Sequence, residues 1–161
     1  MKKVKIALWI AILLLLQVCL IQYIAIQHIV PELMFVFSIC YAFHEGDEKL
    51  RLIVPAVCGA AVDLMGSQIF GMNMLIYTLA AAGGVWMADI FYRSGIFFQF
   101  PLLFVLSMAA GSVYFVFNSS VFGEIGYGSI VWEIIFPTAC YNLAAAVPIL
   151  PLVRKTWKQR R

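Results

Sequence analysis

The chain has 161 residues, 64% of them hydrophobic and 12% charged, with a formal net charge of +3 and a mean hydropathy of +0.97. A soluble domain carries roughly 25% charged residues, so this composition excludes an ordinary water-soluble globule and names lipid as the solvent. The length accommodates about six spans of roughly 20 residues with short loops, leaving no room for a soluble domain between them.

Lys2, Lys3 and Lys5 precede an apolar run from Ile6 to Gln27, broken only by Gln17, Gln22 and Gln27. A signal-peptide core is about 7–15 residues long and is followed by a small-residue cleavage site. This run is longer and no such site follows, so a retained first helix is expected. His28 to Glu32 reads as a turn, with Pro31 placed to open the next helix. Leu33 to Phe43 is apolar but spans only about 16 Å at helical rise, too little for a straightforward crossing. Either the helix extends into Pro31-Glu32 and His44, or it is a broken element shielded by its neighbours; a short second span is expected. His44 to Arg51 is the most polar stretch and reads as a loop in water. A third helix follows and contains Asp63, before a break from Ser67 to Asn73. Two further apolar helices come next, the second ending at Asn118-Ser119-Ser120, then a glycine-rich loop from Val121 to Ser129. The last helix is expected to be interrupted by Pro137, Pro148 and Pro151, and the chain closes on RKTWKQRR. The expected fold is therefore all-α, a single integral membrane domain with spans at about 6–27, 32–44, 52–66, 74–91, 96–117 and 130–153.

With six spans, both termini share one side with the loops at 44–51 and 92–95. All 11 Lys and Arg residues fall on that side, which the excess of basic residues in cytoplasmic loops makes the cytoplasmic one. The positive charge thus reflects topology and carries no implication of nucleic acid. The four cysteines, Cys19, Cys40, Cys58 and Cys140, lie in apolar runs without C-x-x-C spacing and read as small buried hydrophobes. His28 and His44 have no partner at ligand spacing, so no metal or other cofactor is expected.

Asp63 is the sharpest signal. A charged side chain near a bilayer centre costs at least about 2.5–3.5 kcal/mol on insertion scales and usually faces a partner or a cavity. On a helix it shares a face with Gly59, Ala60, Gly66 and Ser67, small residues that let another helix approach closely. Three roles stand open for it: hydrogen-bonding the following turn as structural cement, which is favoured, meeting a partner subunit, or binding a ligand or ion. Gly71 and Asn73 suit a turn because both tolerate left-handed backbone. Asp89 and Arg93 are spaced for an i,i+4 pair. Glu133 is placed to cap the last helix, and Asn142 to bond across to the third. There is no G-x-S-x-G, H-E-x-x-H or Walker loop, and no intramembrane basic residue accompanies Asp63, so no enzymatic activity is expected.

The order Pro31-Glu32-Leu33, short second helix, polar loop, Gly59-x-x-x-Asp63-x-x-Gly66, Gly71-x-Asn73 and the small-residue run Ala80 to Gly84 resembles the MreD family of rod shape-determining proteins. The recognisable pattern covers about the middle third of the chain, and the half from Gly95 onward carries no matching motif. The resemblance implies a non-enzymatic scaffold of the cell-elongation machinery in the bacterial inner membrane, working with MreC, the MreB filament, RodA and a class B penicillin-binding protein in side-wall peptidoglycan synthesis. Pro31, Glu32, Gly59, Asp63, Gly66, Gly71 and Asn73 would then serve helix packing or partner contact. Arg154, Lys155, Lys158, Arg160 and Arg161 would meet anionic lipid or a cytoplasmic partner. The family is also similar in size and helix number to the vitamin-binding subunits of energy-coupling-factor transporters. That alternative places Glu32, Asp63, Gln68, Asn73, Asn118 and Glu124 around an outward-facing pocket.

Overall fold

The structure is a computed structural model that describes residues 2–19, 29–66, 69–90, 95–122 and 127–157. Six helices account for nearly all of them: α1 (Lys2–Cys19), α2 (Leu33–His44), α3 (Glu48–Asp63), α4 (Met72–Ile90), α5 (Gly95–Phe122) and α6 (127–156). No strand occurs among the described residues. Two stretches, Phe98–Phe117 in α5 and Gly128–Thr156 in α6, are each long and apolar enough to cross a membrane. Val4–Cys19, Leu33–His44 and Met72–Ala88 are shorter apolar helices.

The short helix α2 is the core. A helix that is hydrophobic all round must be enclosed on every side, and every residue from Met34 to Ala42 is buried. Helices α1, α3, α4 and α6 pack around it. Its two buried hydroxyls are both matched, Ser38 Oγ donating to the Phe35 carbonyl at 2.7 Å and Tyr41 Oη to Glu45 Oε2. Aromatic rings fix its ends. Phe35 meets Tyr77 of α4 edge-on at 5.2 Å, while Phe37 and Tyr41 join Trp9 of α1 and Trp157 beyond α6 in one aromatic cluster. The start of α1 and the end of α6 therefore lie together at the end of the bundle where α2 finishes.

Several boundaries differ from the sequence expectation. Helix α3 begins at Glu48 because Asp47 caps it, its Oδ1 accepting from the Lys49 N–H at 3.0 Å. The stretch expected as a loop in water also contains Glu45, which is only 3% exposed. Its Oε2 accepts from Tyr41 Oη at 2.5 Å, its Oε1 accepts from the Gly46 and Asp47 N–H groups, and its carbonyl accepts from Arg51 Nε. Helix α5 continues past Phe117 to Phe122. Helix α6 absorbs its prolines without interruption, since Pro137 sits at the start of an α-helical run and Pro148 and Pro151 lie inside it. The departure from α-geometry comes earlier, in a π-helical turn at Val131–Ile135. The Asp89–Arg93 pair falls outside the described residues and side chains.

Helices α3 and α4 form the most extensive pair in the fold, and Gly59 is what lets them close. A Cβ at this position would lie 2.5 Å from the Met74 Cα and overlap the Asn73 backbone. Gly83, on α4, has open space where a Cβ would go. Gly59→Ala is therefore expected to destabilise the fold by about 1–3 kcal/mol through overpacking, whereas Gly83→Ala raises stability by up to about 1 kcal/mol through helix propensity. Thermal unfolding of the two variants in detergent checks the opposite signs.

Candidate functional site

Asp63 is the last residue of α3 and is 4% exposed. Its Oδ1 accepts from the Asn73 backbone N–H at 3.2 Å and from Asn73 Nδ2 at 2.9 Å, and its Oδ2 accepts from the Met74 N–H at 3.1 Å. These two backbone groups belong to the first turn of α4, where N–H donors have no partner within the helix. The residue at the cap position is Gly71, whose carbonyl accepts from the Leu75 N–H and which has no side chain to offer. Asp63 supplies the missing cap from the preceding helix, and the positive end of the α4 dipole balances its charge. The chain reverses between the two helices at Gly66 and Gly71, with φ of +120° and +89°, backbone that a side chain rarely tolerates.

A second junction organises the start of α2. Pro31 is buried and Glu32 stands at the cap position of α2 without a side-chain cap bond. The first donors are met by other helices. Asn142 Oδ1 on α6 accepts from the Glu32 N–H at 2.7 Å, and Gln17 Oε1 on α1 accepts from the Met34 N–H at 3.1 Å. Asn142 Nδ2 in turn donates to Ser107 Oγ of α5 at 2.7 Å. Asn142 was expected to reach the third helix; it joins α6 to α5 and to the start of α2 instead. The expected cap Glu133 lies in the π-helical turn and is exposed.

Between α4, α5 and α6, beside the start of α2, lies a cavity of about 290 Å³ lined by both of these junctions, with Glu32, Asn73 and Asn142 in its wall. Asp63 is not among its described lining residues, its carboxylate being turned to the α4 cap. Gln68 and Glu124 lie outside the described residues, as does the Asn118 side chain. Tyr77, Ser107 and Tyr114 line the cavity but were not singled out in the sequence. A polar residue within an apolar helix was the available signal for Ser107 and for Gln17. At the far end of α6, Arg154 and Lys155 are exposed, while Lys158, Arg160 and Arg161 lie outside the described residues.

Asp63→Ala leaves backbone donors of α4 without an acceptor and is expected to cost about 1–3 kcal/mol for each donor left unpaired. Asn73→Ala removes only the side-chain bond and is expected to cost about 1 kcal/mol. Thermal unfolding of both variants ranks them, and equal losses would remove the cross-helix cap as the reason for burying Asp63.

A comparison with curated proteins finds no match, and neither does a comparison with solved structures. The family model for the rod shape-determining protein MreD matches residues 2–160. That match takes in the half of the chain from Gly95 onward, where no motif had been legible. With essentially its whole length so accounted for, the chain belongs to the MreD family of membrane proteins that determine rod shape.

Proposed function

We propose that this protein is a non-enzymatic scaffold in the bacterial inner membrane that helps assemble the side-wall peptidoglycan synthesis machinery. The observation that carries this reading is the family match over residues 2–160. The arrangement of the helices supports it. The described connections are short, so recognition of another membrane protein must use helix faces, and large apolar side chains stand exposed on them, such as Leu75, Leu79 and Trp86 of α4 and Val105, Val116 and Phe117 of α5. Six crossings with both termini cytoplasmic put every Lys and Arg on the inner side. The aromatic cluster of Trp9, Tyr41 and Trp157 and the exposed Arg154 and Lys155 then lie at the inner surface, where each basic residue contributes about 1 kcal/mol of attraction to anionic lipid. The expected partners are MreC, the MreB filament, RodA and a class B penicillin-binding protein. The Asp63–Asn73 hairpin sits at the opposite, outer end, and its role in this reading is to hold the faces of α3 and α4 in a fixed relation.

Crosslinking in cells, followed by gentle-detergent purification of the tagged protein and mass spectrometry, tests the proposal. Recovery of MreC, RodA or a penicillin-binding protein is the expected result. Recovery instead of two cytoplasmic ATPases with a coupling membrane subunit would overturn the scaffold reading in favour of a transporter.

A further inference from the structure

The cavity beside Glu32 is chemically lopsided. Its described lining contains two carboxylates, Glu32 and Glu133, and no Lys, Arg or His. Two tyrosines, Tyr77 and Tyr114, and otherwise mainly apolar side chains make up much of the rest. The Glu32 backbone N–H is taken by Asn142, but the carboxylate of this part-buried residue receives no hydrogen bond from the described residues. Holding a part-buried acid against apolar surface without a donor is costly, and Asp63, at the adjoining junction, shows the ordinary solution of full capping. Glu32 lacks that solution.

The walls are held open by built features. Asn142 and Ser107 are locked to each other at 2.7 Å. The π-helical turn at Val131–Ile135 contributes Glu133, Ile134 and Ile135 to the lining, and such turns within α-helices occur frequently at functional sites. Ile135 is seated against Gly111 of α5, where an added Cβ would lie 3.0 Å from its Cγ2, so the turn is fixed against the opposite wall. A concave, mostly apolar pocket with a few converging polar groups is the usual form of a small-molecule site.

We propose that this cavity binds an organic ammonium ion carried on an apolar body. The ammonium group donates to the Glu32 carboxylate, the tyrosine rings face the cation with their negative π-surfaces, and the apolar body fills the space along Ile76, Ala110 and Ile134. The cation is either a free amine or the headgroup of an aminophospholipid entering from the bilayer. This inference stands apart from the scaffold reading, since it rests on the cavity and not on any partner.

The test is equilibrium binding of tritiated 4-phenylbutylammonium to the full-length protein in phosphatidylglycerol nanodiscs, with partition into empty nanodiscs subtracted. One saturable site is expected, with affinity reduced about tenfold or more by Glu32→Gln, because one charge-assisted hydrogen bond is lost. The uncharged 4-phenylbutanol is expected to bind the parent protein about tenfold more weakly or worse. Glu32→Gln keeps the backbone bond to Asn142, and an unchanged melting temperature without ligand verifies its fold. Ala110→Phe, which fills the cavity, is expected to abolish saturable binding. Absence of a saturable site, equal binding of the alcohol and the ammonium ion, or undiminished binding by folded Glu32→Gln or Ala110→Phe overturns the proposal. Adding phosphatidylethanolamine to the nanodiscs separates the sources: competition with the probe supports a lipid headgroup, and undiminished probe affinity supports a free amine.

Discussion

The fold depends on how helix starts are satisfied where water is scarce. The first N–H groups of any helix lack partners within it, and in lipid each unmet group costs several kcal/mol. At α2 the donors are taken by Gln17 from α1 and Asn142 from α6; at α4 they are taken by Asp63 from α3. Each of these caps is borrowed from a different helix. Local and tertiary structure consequently stabilise one another: neither α2 nor α4 is complete until its neighbours have docked. The chain uses few polar side chains within its apolar helices, and several of them are placed at these joints.

The helical class and the membrane character were legible from composition, because a chain so poor in charge has few other solutions. The Asp63 hairpin was legible in part: a lone acid on a small-residue face, followed by glycine and asparagine, favoured a bond to the following turn while a partner contact and a ligand site stayed open. Other features were not, and the reason is that they depend on residues far apart in sequence. Nothing local tells that Asn142 meets Glu32 and Ser107, since a single asparagine has the same appearance whichever helix it faces. The burial of Glu45 was masked by its charged neighbours, which give the whole stretch from His44 to Arg51 a solvated look. The continuity of α6 through Pro148 and Pro151 was hidden by the usual meaning of proline as a breaker, a rule that weakens where helix packing holds the chain straight. The short second helix was legible as a helix, with shielding by its neighbours one of two open readings, and its place at the centre of the bundle follows only from the packing.

The two junctions at the Asp63 end of the bundle divide the work differently. In the hairpin, charge is consumed locally: Asp63 is matched by the N-terminus of α4, which leaves it poorly suited to recognising anything else. Glu32 lies on the adjoining junction and keeps its carboxylate toward a cavity. Two acids, each beside a helix start, thus have opposite chemical availability: the donors of α4 are met by Asp63, whereas those of α2 are already taken by Asn142 and Gln17.

The perimeter of the bundle is uneven in height. Helix α3 has 16 residues and α5 has 28, which at 1.5 Å per residue correspond to about 24 Å and about 42 Å. Because α2 is enclosed, its shortness is hidden within the bundle; that of α3 is not, and in the proposed six-crossing arrangement its exposed Leu52, Ile53 and Val57 face lipid. In that arrangement a bilayer with a hydrocarbon core of about 30 Å would be stretched on one flank and pinched on the other, or the whole bundle would tilt to share the mismatch. Lipid deformed in this way draws together proteins whose flanks have matching thickness, so the same arrangement would give the α3 side a preference for thin neighbours before any side chain on either surface has made contact.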